Sequence, residues 1–182
     1  MQSSPTTRKF SLKNVLPSTR TDMIKFTDDF DKIIPLWQEA FGDSREDIDF
    51  FLKNCKNSAC LGYFEDNQLL SMLFLVDCKC DGRKAKYIYA ACTAEQARTN
   101  GCMSELLAYC KDNYTFLCLV PANESLIDFY AKRGFTEKVD INELSFDESD
   151  EIKEYLFEGC TLKKPFIMVS AGLYNNEMTF QQ

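Results

Sequence analysis

The sequence predicts a mixed α/β fold in which an antiparallel meander of strands runs into one parallel β–α–β unit. Three observations carry this. Three apolar runs rich in β-formers, residues 59–64, 69–80 and 84–93, follow one another with only turn signals between them. The next segment changes period: Met103, Leu106, Leu107 and Cys110 fall at i, i+3, i+4 and i+7, the mark of a helix with one buried face. A further apolar run, 115–120, follows that helix directly. A strand–helix–strand connection of this kind makes the two strands parallel and right-handed in crossover. Runs of strands and helices in this order form a layered architecture.

Residues 23–26 read as a short first strand. Asp28 and Asp29 can cap a helix through Phe41, with apolar positions Phe30, Ile33, Ile34, Trp37 and Phe41, a bend at Pro35 and a stop at Gly42. Ser44 and Asp47 form a capping-box pattern for a second helix, whose buried stripe is Ile48, Phe51, Leu52 and Cys55. The meander follows, with turns at 65–68 and at Asp81-Gly82, the latter a strong hairpin signal. After the β–α–β unit (84–93, 101–113, 115–120), residues 123–133 predict a short helix ending at Gly134. Residues 139–144 read as a strand, 148–157 as an acidic helix, and 166–173 as a last strand that closes the sheet.

The chain has 182 residues, which suits one domain with a sizeable core over 23–182. Residues 1–22 are expected to be a disordered extension: the segment is rich in Ser and Thr, carries Arg8, Lys9, Lys13 and Arg20, and has no secretory apolar core. A net charge of −7 argues against nucleic acid as a partner, and no stretch reaches the length of a membrane span. The nine cysteines form no CxxC pair and no zinc signature, and several sit inside apolar runs. They read as small core residues in a reducing, cytoplasmic compartment, and no metal is expected. Histidine is absent, which removes Ser-His-Asp and Cys-His mechanisms; any general base must be a carboxylate, tyrosine, thiol, lysine or water.

The helix at 101–113 starts unusually. Arg98-Thr99-Asn100-Gly101 are poor helix formers, and a start of small and polar residues leaves backbone N–H groups open to an anion. Gly101 lets a ligand approach the backbone closely, Thr99 to Ser104 can supply N–H groups, and Arg98 adds charge. A plain capped helix is the alternative.

Two stretches, YIYAACTAEQARTNGCMSELL (87–107) and LVPANESLIDFYAKRGF (119–135), resemble the GNAT N-acetyltransferase superfamily. Its acyl-CoA loop is Arg/Gln-x-x-Gly-x-Gly/Ala, and here it reads Arg98-Thr99-Asn100-Gly101-Cys102-Met103. Its second element is an asparagine that opens a helix carrying a tyrosine and ending in Gly-Phe, here Asn123, Tyr130 and Gly134-Phe135. The resemblance covers roughly residues 23–144 and rests on both motifs at this spacing. Three positions depart from the pattern: Met103 stands where the residue is usually small, Thr99 where glycine is frequent, and Glu95 and Ala97 where a proline and an aromatic are frequent.

The resemblance implies a GNAT-like fold: a central, mostly antiparallel sheet with the parallel acyl-CoA-binding unit and helices on both faces. It implies acetyl-CoA as acyl donor, held by Arg98, Thr99, Asn100, Gly101, Cys102, Met103 and Ser104 at the pyrophosphate. Ala91, Cys92 and Thr93 would meet the pantetheine arm where their strand splays from its neighbour, and Asn123 would bond CoA or cap its helix. Tyr130 is the candidate general acid for the departing thiolate. The expected reaction is acetyl transfer to a primary amine, on a small molecule or a peptide, by direct attack in a ternary complex. No motif marks a base; Tyr87, Tyr89, Glu39 and Asp43 are the candidates. The rival expectations are an acyl-CoA-binding or sensing module without turnover and a protein-interaction domain. A monomer and a homodimer are both open, the last strand being a possible dimer edge.

Overall fold

A computed structural model describes residues 23–171; the extension expected at 1–22 and the end of the expected last strand, 172–173, lie outside the described residues. The elements run β1 (Ile24–Thr27), α1 (Phe30–Phe41), α2 (Arg45–Asn54), β2 (Ser58–Glu65), β3 (Gln68–Cys80), β4 (Arg83–Thr93), α3 (Cys102–Asn113), β5 (Phe116–Leu119), α4 (Glu124–Ala131), β6 (Glu137–Asp140), β7 (Leu144–Ser145), α5 (Asp150–Phe157) and β8 (Phe166–Ala171).

Local chemistry explains most boundaries. The hairpin turns place Asp66 and Asn67, then Asp81 and Gly82, at positive φ, the backbone that two-residue turns between twisted strands require. Gly42 ends α1 in the left-handed region and donates to the Gln38 carbonyl. Ser44 Oγ accepts from the Asp47 N–H at 3.1 Å and opens α2. Asp29 stands at the start of α1, but its carboxylate pairs with Lys32 and makes no capping bond.

The strands form one eight-stranded sheet in the order β1-β2-β3-β4-β5-β8-β6, with β7 paired to β3. All neighbours are antiparallel except β4 and β5. Leu69 to Val76 are buried without a break, so β3 is covered on both faces. α1 and α3 both pack on β3 and β4, and α2 contacts α1 and α5. Trp37, Phe51 and Phe74 meet at 5.2–5.4 Å between ring centroids and centre the core under α1 and α2. All nine cysteines are free thiols and all but Cys160 are buried, in keeping with a core role. Cys78 and Cys118 Sγ lie 3.6 Å apart.

Two expectations change. The strand expected at 139–144 is split: Asp140 accepts from the Asn142 N–H and turns the chain through a 3₁₀ turn at Ile141–Glu143. The residues beyond it form β7, which pairs with the far end of β3. The last strand is not an edge. β8 lies between β5 and β6 and pairs with both: Met168 and Val169 have a partner strand on each side, so the strand offers no free edge along its middle for a second copy. Among the described residues no helix is long and apolar enough to cross a membrane.

Candidate active site

The site is built where β4 leaves β5. The two strands pair only at Lys86 with Leu117 and at Tyr87 with Cys118. From Ile88 to Thr93 the β5-facing edge of β4 has no partner strand, while the other edge continues along β3 as far as Thr93 opposite Ser71. A bulge bends β4 within this reach. Tyr89 stands opposite Phe74 and Cys92 opposite Met72, so Ala90 and Ala91 share Leu73, and Ala90 takes φ +48°. Ser71 anchors the strand beyond the bulge: its Oγ donates to the Cys92 carbonyl at 2.9 Å and lies 2.8 Å from Thr93 Oγ1. Ala91, Cys92 and Thr93 therefore border an open wedge.

The loop leaving β4 makes one 3₁₀ turn, Glu95–Ala97, fastened to α1 because Glu39 Oε1 accepts from the Glu95 N–H at 2.6 Å. Thr99 (φ +71°) and Gly101 (φ +84°) then turn the chain into α3. Gly101 is the N-cap and supplies no capping side chain. The amides of Cys102, Met103 and Ser104 belong to the first turn, where no intrahelical acceptor exists. A Cβ added at Gly101 would meet nothing within 4 Å, so the approach is open. Arg98, Thr99 and Asn100 are exposed at its rim. The Cys102 side chain is buried at 3%, so what it offers a ligand is its amide; Met103 packs partly against the core.

Asn123 caps α4: its Oδ1 accepts from the Leu126 N–H at 3.3 Å and from the Ser125 hydroxyl at 2.6 Å. Tyr130 is buried, with Phe129 at 5.2 Å and Phe135 at 6.0 Å between ring centroids. Burial pushes its phenol up to about 12; Arg133 opposes that shift and Cys92 adds to it. The turn after α4, the helix that Asn123 opens and that carries Tyr130, is joined to the first turn of α3 through Arg133 and Ser104.

The base candidates are differently placed. Tyr87 and Tyr89 stack at 6.4 Å, and their hydroxyls donate to the carbonyls of Leu156 and Tyr155. Burial raises both phenols, so each holds its proton. Glu39 is engaged by the Glu95 amide, and Asp43 accepts from Trp37 Nε1 at 2.7 Å.

Arg133 was not singled out from the sequence. Its Nε donates to Ser104 Oγ at 2.9 Å and Nη1 to the Phe129 carbonyl at 2.8 Å, with the guanidinium 3.5 Å above the Phe129 ring. Only its place before Gly134 hinted at it. The Ala90 bulge carries no signal at all, since alanine does not favour positive φ. A groove of about 740 Å³ between Lys79, Lys84, Tyr114 and Phe146 lies at the opposite end of β4 and shares no residue with the wedge. Among the described residues no group of three or more Cys, Asp or Glu side chains could hold a metal ion.

Comparison with known proteins bears on the family and the fold. Residues 24–137 match the family model described as an acetyltransferase (GNAT) domain. No curated protein matches the chain. Among solved structures it is similar to a Bacillus subtilis acetyltransferase in complex with CoA, at 14% identity and a TM-score of 0.55, covering 82% of this chain and 98% of that one. It is also similar to a GNAT family acetyltransferase from Elizabethkingia anophelis with acetyl-CoA bound, at 17% identity and 0.51, covering 82% and 99%. Of a probable N-acyltransferase from Enterococcus faecalis V583, 20% identical with a TM-score of 0.48, the chain spans only 31% and the match covers 61% of this chain. At these identities the structures speak for the fold, while the family match extends over most of the chain: it belongs to the GNAT acetyltransferase family, and residues 24–137 are a GNAT-type acyltransferase domain.

Proposed function

We propose that this protein transfers an acetyl group from acetyl-CoA to a primary amine by direct attack in a ternary complex. The observation that carries the reading is the wedge between β4 and β5, which leads through the 95–101 loop into the open first turn of α3. A thioester supplies an activated acyl group; the chain supplies position and charge. The amides of Thr99 and of Gly101 to Ser104 receive the pyrophosphate, favoured by the positive end of the helix dipole; that of Asn100 donates to the Ala97 carbonyl. The unpaired edge of β4 at Ala91 to Thr93 aligns the pantetheine arm, and its amides polarise the carbonyl. Tyr130, held neutral by burial, gives its proton to the thiolate as the C–S bond breaks. Tyr87 and Tyr89 also hold their protons, so they orient the amine and do not deprotonate it; the proton it sheds passes to water.

Acetyl-CoA should raise the unfolding midpoint, because a ligand that binds only the folded state stabilises it. Gly101→Asp should abolish the shift: the new side chain finds open space and sets a negative charge before the open amides, and the left-handed φ of +84° costs roughly 1–2 kcal/mol of stability, so the shift is read against the variant's own midpoint. Thiol release in the presence of a panel of amines then reads turnover. No shift with millimolar acetyl-CoA would remove the donor; a shift without thiol release would leave an acyl-CoA-binding module.

A further inference from the structure

β3 enters the core as Gln68-Leu69-Leu70-Ser71-Met72-Leu73, and Ser71 breaks this apolar run where its side chain is 0% exposed. Ser71 and Ser170 are the only buried serine, threonine, amide or charged residues among the described ones. Taking a hydroxyl out of water costs free energy unless it finds hydrogen bonds. Ser71 finds two, both on β4. Its one proton goes to the Cys92 carbonyl at 2.9 Å, which leaves its lone pairs to accept from the Thr93 hydroxyl, 2.8 Å away. Both partners lie beyond the bulge that sets Ala90 and Ala91 against Leu73, where a strand is otherwise free to twist away.

These bonds aim the backbone of Thr93. The Cys92 carbonyl and the Thr93 N–H belong to one planar trans peptide and point in opposite directions. Ser71 holds the carbonyl on the β3 side, so the Thr93 N–H points to the side that β5 leaves. The register agrees. Ser71 stands opposite Thr93, and the Ala94 N–H donates to the Leu70 carbonyl at 2.7 Å. In an antiparallel ladder such a bond brackets a pair that exchanges none of its own, so the Thr93 N–H and C=O both turn outward to the open edge. The amides that follow, of Ala94 and Glu95, are taken by the Leu70 carbonyl and by Glu39. Thr93 therefore closes the row of backbone groups along the wedge, next to the loop that leads to α3.

Resting on the acetyl-transfer reading, we infer that Ser71 is a positioning residue for the acyl donor: by holding the Cys92 carbonyl and the Thr93 hydroxyl on the β3 side, it aims the Thr93 N–H and C=O at the amides of the pantetheine arm. The arm then adds to the open edge of β4 as a strand would, through main-chain hydrogen bonds. Ser71 is fully buried and acts through Thr93. Its effect falls on the arm and not on the nucleotide, whose pyrophosphate meets the amides beyond the 95–97 turn.

The test separates the arm from the nucleotide. Calorimetry compares CoA, which carries the arm, with ADP, which carries the pyrophosphate alone, on the parent and on Ser71→Ala. The variant should bind CoA about fivefold or more weakly, the scale of one hydrogen bond, and should bind ADP as the parent does. On an amine that the parent acetylates, the KM for acetyl-CoA should rise with the CoA dissociation constant while kcat stays near the parent's. Should Ser71→Ala fail to fold, Thr93→Val takes its place: it keeps the side chain's shape, removes the same hydroxyl contact, and should show the same loss of CoA with ADP intact. Parent-like CoA affinity in the folded variant, or an equal fall for CoA and ADP, overturns the inference and leaves Ser71 a structural residue with acetyl transfer standing. A parent that binds neither CoA nor acetyl-CoA overturns the donor reading, and this inference with it.

Discussion

Arg133 Nε donates to Ser104 Oγ across 2.9 Å, and so joins the turn after α4 to the first turn of α3. Lys111 Nζ of α3 returns the contact by donating to the Arg133 carbonyl at 2.9 Å. The helix that carries Tyr130 and the start of α3 are thereby held as one unit, with a guanidinium beside the first turn of α3.

Arg133→Met should therefore weaken acetyl-CoA binding several-fold, through lost positioning and lost positive charge, and destabilise the fold by about 1 kcal/mol. Arg133→Lys should behave much like it, because an ammonium cannot reach Ser104, the Phe129 carbonyl and the Phe129 ring face together. Titration calorimetry and chemical unfolding check both; parent-like affinity in Arg133→Met would make the contact purely structural.

Thr99 is β-branched and holds φ +71°, a conformation that glycine adopts freely. Left-handed backbone costs an ordinary residue roughly 1–2 kcal/mol. Glycine gives back about 0.4–1 kcal/mol through the freedom of the unfolded chain. Thr99→Gly should thus stabilise the protein by about 0.5–1 kcal/mol, seen as a higher denaturation midpoint at unchanged slope. A lower midpoint would mean that the threonine side chain holds the loop.

Tyr130→Phe keeps the ring contacts with Phe129 and Phe135 and removes only the proton donor. Stability should move by no more than about 1 kcal/mol and acetyl-CoA affinity should stay near the parent's. Turnover should fall roughly 10²-fold or more. Parent-like turnover on an amine that the parent acetylates would leave Tyr130 as core alone.

The buried tyrosines set the alkaline limit of stability. Tyr130 is raised from 10.0 to about 12, and Tyr87 and Tyr89 are raised as well. Their contribution is complete below pH 10, where the unfolded chain keeps its phenols protonated. It is lost as pH rises from 10 through about 12, because the unfolded state ionises first. Tyrosinate absorbance of the native protein should lag behind that of the denatured chain over this window, and the unfolding free energy should fall across it. Coincident titration curves would contradict the burial of these hydroxyls.

Several features were legible in the sequence because short-range chemistry decides them. Asp81-Gly82 turns a hairpin through its own backbone preference, Ser44 and Asp47 close a capping bond three residues apart, and Leu106, Leu107 and Cys110 bury one face of α3. The order of elements around residues 87–135 and the family to which the chain belongs followed from the same local patterns and spacing. What only the tertiary structure decided depends on residues far apart in the chain. Strand order is set by pairing, so the split of residues 137–145 between β6 and β7 and the insertion of β8 between β5 and β6 left no periodic signature. The Ala90 bulge arises from the register of β4 against β3, not from any preference of alanine. Arg133 meets Ser104 because α3 and α4 pack side by side, and Tyr155 meets Tyr89 because α5 folds back over β4, 66 residues away in sequence. Sequence periodicity reports which face of an element is buried. It does not report what that face is buried against, and the wedge is made of such meetings.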